Sequence, residues 1–184
     1  MRLHAEECLL IVVDMQPSFL GGIVGADEVM KRTKFLVECA NLLEVPTLAT
    51  VQYPERMGGT EESLHAMIQG ETLDKMAFSC CGASGLMEAV EKSERGTIVL
   101  VGIETHICVT QTALDLLEEG YEVAIVLDAV SSRSEQANKI GTKRLRDAGA
   151  QVVHSESVVY EWMESADHPK FRDVLKVVKA YSGS

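Results

Sequence analysis

The chain has 184 residues, of which 46% are apolar and 24% charged, and a formal net charge of −11. That balance fits a globular protein with enough core to stand without covalent staples, and it excludes a disordered chain. The longest apolar run, Cys8 to Val13, is far too short to cross a bilayer, and a surplus of acids opposes nucleic acid, whose phosphates need clustered Lys and Arg.

Glu6 and Glu7 stand just before that run and no small-residue cleavage site follows it. A secretory leader would have neither feature, so a cytoplasmic protein is expected. Leu9 to Val13 is continuously apolar, β-branched at its end, and stops at Asp14. Such a run suits a strand covered on both faces, as in a parallel sheet. From about Ala26 to Leu43 the apolar residues Val29, Leu36, Val37, Ala40 and Leu43 recur at helical spacing. Thr47 to Val51 reads as a second strand. Pro54 and the Gly58-Gly59 pair make Tyr53 to Thr60 irregular. Glu61 to Ile68 reads as a short helix, Leu73 to Phe78 as a short strand, Gly82 to Gly85 as a turn and Leu86 to Glu94 as a helix.

The second half carries the stronger pattern. Thr97 to Ile103 is a strand, Glu104 to Cys108 a loop, and Val109 to Glu119 a helix with Gly120 at its C′ position. Glu122 to Leu127 is a strand ending at Asp128. Arg133 to Ala148 is helical, Gln151 to His154 opens a last strand, and His168 to Tyr181 is a final helix with Pro169 near its first turn. The alternation of strand and helix predicts one α/β domain over residues 1–184, a doubly wound and mostly parallel six-stranded sheet with helices on both faces.

In such sheets ligands bind beyond the carboxyl ends of the strands. Three reactive side chains fall there: Asp14 after the first strand, Lys75 in the short third one, and Cys108 just past the Thr97–Ile103 strand. A cysteine at the start of a helix gains thiolate character from the unpaired N–H groups, and those same groups can bind an oxyanion. Each has a plainer reading. Cys108 can be a packing cysteine, Asp14 a surface carboxylate or cap, and Lys75 a solvated surface charge like most lysines. Together they make a charge-balanced cluster, which none of the plainer readings explains. His106 lies too near Cys108 in sequence to serve it well as a base.

The chain has five cysteines, an odd number without a CxxC pair, so neither a disulfide framework nor a zinc knuckle is supported. Cys8 and Cys39 read as packing. The scattered histidines form no ligand spacing, and neither a dinucleotide fingerprint nor a GxSxG elbow is present. No metal and no cofactor is expected.

Four segments resemble the isochorismatase-like cysteine hydrolases: VVDMQPSF at Val12–Phe19, DKMAFSC at Asp74–Cys80, GIETHICVTQTALDL at Gly102–Leu116 and DAVSSR at Asp128–Arg133. They occur in family order and span nearly the whole chain. The resemblance implies a catalytic Asp, Lys and Cys at Asp14, Lys75 and Cys108. It also implies a non-proline cis peptide between Ile103 and Glu104 that aims backbone N–H groups, that of Cys108 included, at an oxyanion. True isochorismatases in this family lack the cysteine, so cleavage of isochorismate is disfavoured here. Nicotinamidases add a metal site after the second strand, where this chain reads VQYPERMGG without His or Asp. The match is to a metal-independent subgroup of unassigned substrate, whose members commonly form dimers or larger homo-oligomers.

The expected activity is hydrolysis of a small amide or related acyl compound through a thioester. Phe19 and Tyr53 are expected as pocket walls, and Gln16, Glu104 and Thr105 as polar contacts. Two other readings stay open. One is a redox-active cysteine with Cys80 or Cys81 as its resolving partner. The other is a non-catalytic oligomeric scaffold.

Overall fold

The computed structural model describes residues 2–182. Its elements in chain order are β1 (Cys8–Val13), α1 (Pro17–Leu20), α2 (Ala26–Leu42), β2 (Thr47–Gln52), α3 (Pro54–Met57), α4 (Glu62–His65), β3 (Thr72–Lys75), α5 (Leu86–Lys92), β4 (Thr97–Ile103), α6 (Thr110–Glu118), β5 (Glu122–Ser131), α7 (Glu135–Asp147), β6 (Gln151–Val153), α8 (Ser155–Met163) and α9 (Phe171–Ser182). Among the described residues the six strands form one all-parallel sheet in the order β3-β2-β1-β4-β5-β6.

The central strands are apolar on both sides because both faces are covered. Leu10 and Val12 of β1 join a core with α2, α8 and α9, where Leu36, Trp162 and Val177 are buried. Leu9, Ile11 and Val13 turn to the other face and pack with Leu86, Leu116 and Leu145 of the α5, α6 and α7 layer and with Val109 just before α6. The period of two in β1 thus feeds two separate cores, which is why its sequence shows no polar alternation. Cys8 and Cys39 are fully buried packing residues, as expected.

Several boundaries differ from the sequence reading. β3 ends at Lys75 rather than Phe78, because the carbonyls of Ala77 and Phe78 turn toward the Lys75 ammonium instead of continuing the ladder. β5 runs on to Ser131 beyond a bulge, where its register against β4 shifts between Leu100 and Gly102. The helix α8, not expected, follows the last strand. Its N-terminal amide at Ser155 is capped by the carboxylate of Asp128 at 2.8 Å, a partner remote in sequence.

Strand order reverses direction on either side of β1, which places a crevice between the carboxyl ends of β1 and β4. The two strands approach closely there. Gly102 pairs with Val13, has φ +110°, and a Cβ on it would stand 2.1 Å from the Val13 carbonyl oxygen. No side chain fits and no L-residue favours that φ. Gly102→Ala is therefore expected to destabilise the protein by more than about 2 kcal/mol or to prevent folding, read by thermal unfolding. A variant as stable as the parent would show that the strands can part without cost.

Candidate active site

β1, β3 and the segment after β4 deliver one residue each to the crevice. Asp14 directly follows β1 and has φ +51°, which turns its side chain out of the strand direction. Its amide keeps the sheet register by donating to the Thr50 carbonyl at 3.1 Å. Lys75 is the last residue of β3 and reaches past the end of β2. Its Nζ lies 2.7 Å from Asp14 Oδ2, and the two side chains are 0% and 2% exposed.

Two charges at that depth need internal solvation. The ammonium donates to Gln52 Oε1 at 2.6 Å, to Phe78 O at 3.0 Å and to Ala77 O at 3.3 Å. Asp14 Oδ1 accepts from Thr50 Oγ1 at 2.8 Å. Oδ2 has the ammonium as an ionic neighbour, but among the described residues no donor is aligned on it as a hydrogen bond. It keeps a lone pair open.

Cys108 lies against this carboxylate. It does not begin an α-helix, contrary to the sequence reading. Thr105–Val109 form a wide π turn, and α6 starts only at Thr110. The amides of Ile107 and Val109 both donate to the Glu104 carbonyl, at 3.0 and 3.2 Å, and the Cys108 amide between them is outside that pair. The hydroxyl of Thr110 donates back to Thr105 O at 2.5 Å, which holds the turn wide. The Ile103–Glu104 peptide that leads into the turn is cis. α7 braces the turn from behind, where a Cβ on Gly141 would stand 2.9 Å from His106 Cα.

The thiol is held neutral. Burial pushes Cys108 up to about 12, the Asp14 carboxylate adds to the shift, and Lys75 opposes it. Burial thus opposes the thiolate character expected from a helix N-terminus. Cys80 is close by and fully buried. Because Thr50 gives its only proton to Asp14, the 3.3 Å contact between Cys80 Sγ and Thr50 Oγ1 has the thiol as donor.

Around the thiol is a small cavity of about 120 Å³. Phe19, Phe78, Ile103 and Ile107 form apolar walls, and Gln52, Glu104 and Arg133 supply the polar groups. Phe19 stands where the sequence placed it. Tyr53 does not: its φ of +45° turns it to a separate groove beside Pro54 and Met76. Gln16 is fully buried and spends its carboxamide on the backbone of Gln52 and Gly58. Thr105 is fully buried as well and lies outside the cavity lining. Glu104 reaches the cavity, but its carboxylate is occupied by Arg133, taking the backbone N–H at 2.9 Å and the guanidinium Nε at 3.1 Å. Burial would raise the Glu104 carboxyl, but those Arg133 contacts prevail and lower it.

Gln52, Phe78, Ile107 and Arg133 were not singled out from the sequence. Phe78, Ile107 and Arg133 lie within the DKMAFSC, GIETHICVTQTALDL and DAVSSR segments and Gln52 within VQYPERMGG, which was the signal that could have found them. A larger open groove of about 620 Å³ includes Glu6, Arg95 and Trp162, but it lies where chain enters β1 and β4 and contains no cysteine. The crevice at the carboxyl ends is the chemically equipped one. Among the described residues no group of three or more His, Cys, Asp and Glu is placed to hold a metal ion, and no helix is long and apolar enough to cross a membrane.

A parallel α/β sheet with a reactive-residue cavity at its switch point defines an enzyme-like class of protein. Residues 8–157 match the family described as the isochorismatase domain, and the chain belongs to the isochorismatase family. Isochorismatase domain-containing protein 2A of Mus musculus is 36% identical over 180 residues, covering 97% of this chain and 85% of the mouse protein. The solved MAR1 ribonuclease of Caenorhabditis elegans is 33% identical with a TM-score of 0.94, covering 100% of this chain and 95% of that one. YcaC of Escherichia coli, described as an octameric hydrolase of unknown specificity, shares the fold at 21% identity and a TM-score of 0.86, with 99% of this chain and 97% of that one covered.

Two outcomes follow for stability. Asp14→Asn strands a buried ammonium and is expected to cost about 3 kcal/mol, whereas Asp14→Asn with Lys75→Met recovers much of that loss in denaturant unfolding. Equal losses in the single and double variants would mean the pair is not coupled. Burial also raises Cys8 to about 11 and Cys39 and Cys80 to about 12. Thiols whose folded values lie above the unfolded one favour the folded state fully below about pH 9 and lose that contribution as pH climbs from 9 toward 12. Thermal unfolding midpoints should be unaffected by thiol titration up to about pH 8.5 and fall steeply above it; no fall by pH 11 would contradict the burial of these thiols.

Proposed function

We propose that the protein hydrolyses a small, uncharged amide or related acyl compound, with Cys108 as nucleophile, Asp14 as proton acceptor and donor, and Lys75 as the charge that holds Asp14. The single observation that carries this reading is a buried thiol set against a carboxylate whose Oδ2 has an open lone pair and a buried ammonium at 2.7 Å. As the sulfur bonds to the substrate carbonyl carbon, its proton passes to Asp14. The oxyanion that forms lies beside the Cys108 amide. Asp14 then returns the proton to the leaving amine as the C–N bond breaks, which leaves a thioester. Water attacks the thioester carbonyl, gives its proton to Asp14, and releases the acid, and the proton returns to sulfur.

The cavity supports a small substrate. A cavity of about 150 Å³ is known to hold benzene, so about 120 Å³ suits an acyl group of about five heavy atoms. Its walls are apolar, and the one cation at its rim is already paired with Glu104. Both favour an uncharged substrate. The C. elegans relative is described as a ribonuclease, but the net charge of −11 and a cavity too small for a nucleotide weigh against RNA for this chain. The neutral thiol and the fully buried, hydrogen-bonded Cys80 weigh against the redox reading. Assembly as a homo-oligomer, dimer or larger, is part of the proposal by analogy with the octameric YcaC. Location in the cytoplasm likewise remains part of the proposal.

A screen of uncharged primary amides from formamide to hexanamide, with intact-mass detection of acyl-enzyme, tests the chemistry. Turnover and adduct are expected for the shorter amides, with a decline beyond about five heavy atoms. Cys108→Ala is expected to lose at least about 10³-fold in kcat while unfolding like the parent. Turnover retained in Cys108→Ala would refute the nucleophile.

A further inference from the structure

The Lys75 ammonium has a neutral partner as close as its carboxylate. Gln52 Oε1 accepts from Nζ at 2.6 Å, against 2.7 Å for Asp14 Oδ2. The other end of the same carboxamide donates to Met76 O at 2.9 Å. Its orientation is fixed by charge, since a flipped amide would turn N–H groups on the ammonium and oxygen on the Met76 carbonyl. The main chain under it is clamped from the other side. The Gln52 amide donates to Gln16 Oε1 at 2.7 Å, and the Gln52 carbonyl accepts from Gln16 Nε2 at 3.0 Å. Gln16 itself is anchored on Gly58 O at 2.7 Å. A buried glutamine thus fixes a second glutamine, which fixes the lysine.

We infer that Gln52 is a positioning residue that holds the Lys75 ammonium on one oxygen of Asp14: as an acceptor it keeps the Asp14 carboxylate basic enough to take the Cys108 proton, and as a neutral acceptor it leaves that carboxylate ionised at rest. This rests on the proposed hydrolase reading for its consequence, but not for its geometry.

The alternatives show why the residue type matters. Without an acceptor at this position the ammonium has fewer partners and closes on both oxygens of Asp14, which favours the ionised carboxylate and weakens it as a base. With a carboxylate here, the ammonium serves two anions, and the added negative charge favours a protonated Asp14. Other charged or titratable groups face Asp14 as well. Cys108 comes from the π turn and Cys80 from the segment after β3, and the rim holds Glu104 paired with Arg133. None of these touches the ammonium, so Gln52 is the neutral side chain placed to tune it. Its second bond, to Met76 O, also secures the segment that carries the cavity wall Phe78.

The test uses Gln52→Leu and Gln52→Glu in the full chain, with two readouts. The first is the 15Nζ resonance of Lys75, assigned by its loss in Lys75→Met. It needs no activity. It is expected to move in both variants, and an unmoved signal in folded Gln52→Leu overturns the inference. The second is the pH profile of acylation by p-nitrophenyl acetate, read as release of p-nitrophenolate. Gln52→Leu is expected to lose about 10- to 100-fold in kcat and to shift the acid limb of the profile downward, and Gln52→Glu to shift that limb upward by about one pH unit. A residue that merely stabilised the fold would lower the active fraction and leave the limb in place, which would also overturn the inference. If the Lys75 resonance moves but the parent shows no Cys108-dependent acylation, the hydrolase reading fails and the positioning role stands.

Discussion

The ion pair between Lys75 and Asp14 is the constraint to which the rest of the site conforms. Placing two opposite charges where solvent does not reach costs several kcal/mol per ion unless their remaining hydrogen-bonding capacity is met. Here three neutral oxygens complete the ammonium and one hydroxyl completes half of the carboxylate. The partners come from β2, from the end of β1 and from the chain after β3. In the order β3-β2-β1 the lysine of the outer strand reaches across the middle strand to the third. The topology and the pair are therefore linked, because the order of the strands places the lysine within reach of its carboxylate.

The pair also dictates how the backbone ends its strands. β3 stops early because its carbonyls leave the ladder to solvate the ammonium. Asp14 takes a left-handed conformation, unfavourable for a non-glycine residue by about 1 kcal/mol, and so turns its carboxylate into the crevice. Across from it, Gly102 allows β4 to approach β1 closely enough for the turn after β4 to hang over the carboxylate. From behind, Gly141 lets α7 touch the main chain of His106. Two glycines thus set the position of Cys108 by removing bulk, one from the sheet side and one from the helix side.

The same physics explains what could be read in the sequence. The strands were legible because burial on both faces leaves an unbroken apolar run, as in Cys8–Val13 and Thr97–Ile103. Asp14, Lys75 and Cys108 were legible because each closes or follows a strand and the fold rule puts ligands there. The cavity wall was less so. Gln16, Thr105 and Tyr53 have suitable chemistry and lie near the reactive residues in sequence, but each side chain is turned away by local backbone or by bonds made elsewhere. Gln52, Phe78 and Arg133 arrive from other strand ends, and although Phe78 and Arg133 lie in marked segments, their meeting at one cavity depends on long-range geometry. α8 was missed for a related reason. Its first amide is satisfied by Asp128, 27 residues earlier, and its local cap is His154, which is not among the usual capping residues.

A neutral thiol beside a carboxylate has a consequence for selectivity. Were Cys108 ionised at rest, two buried anions would share one ammonium, and the desolvation of the second anion would have little compensation. Leaving the proton on sulfur confines the site to one anion. On the proposed reading, the proton moves only when a bound carbonyl accepts the sulfur and the new negative charge forms beside the Cys108 amide. Reaction is then conditional on an electrophile that fits the cavity and presents an oxygen to that amide. Oxidants and loose electrophiles meet a thiol, which is a poor nucleophile. The burial that makes the cysteine look inert is thus what makes a hydrolase specific for the substrate it encloses.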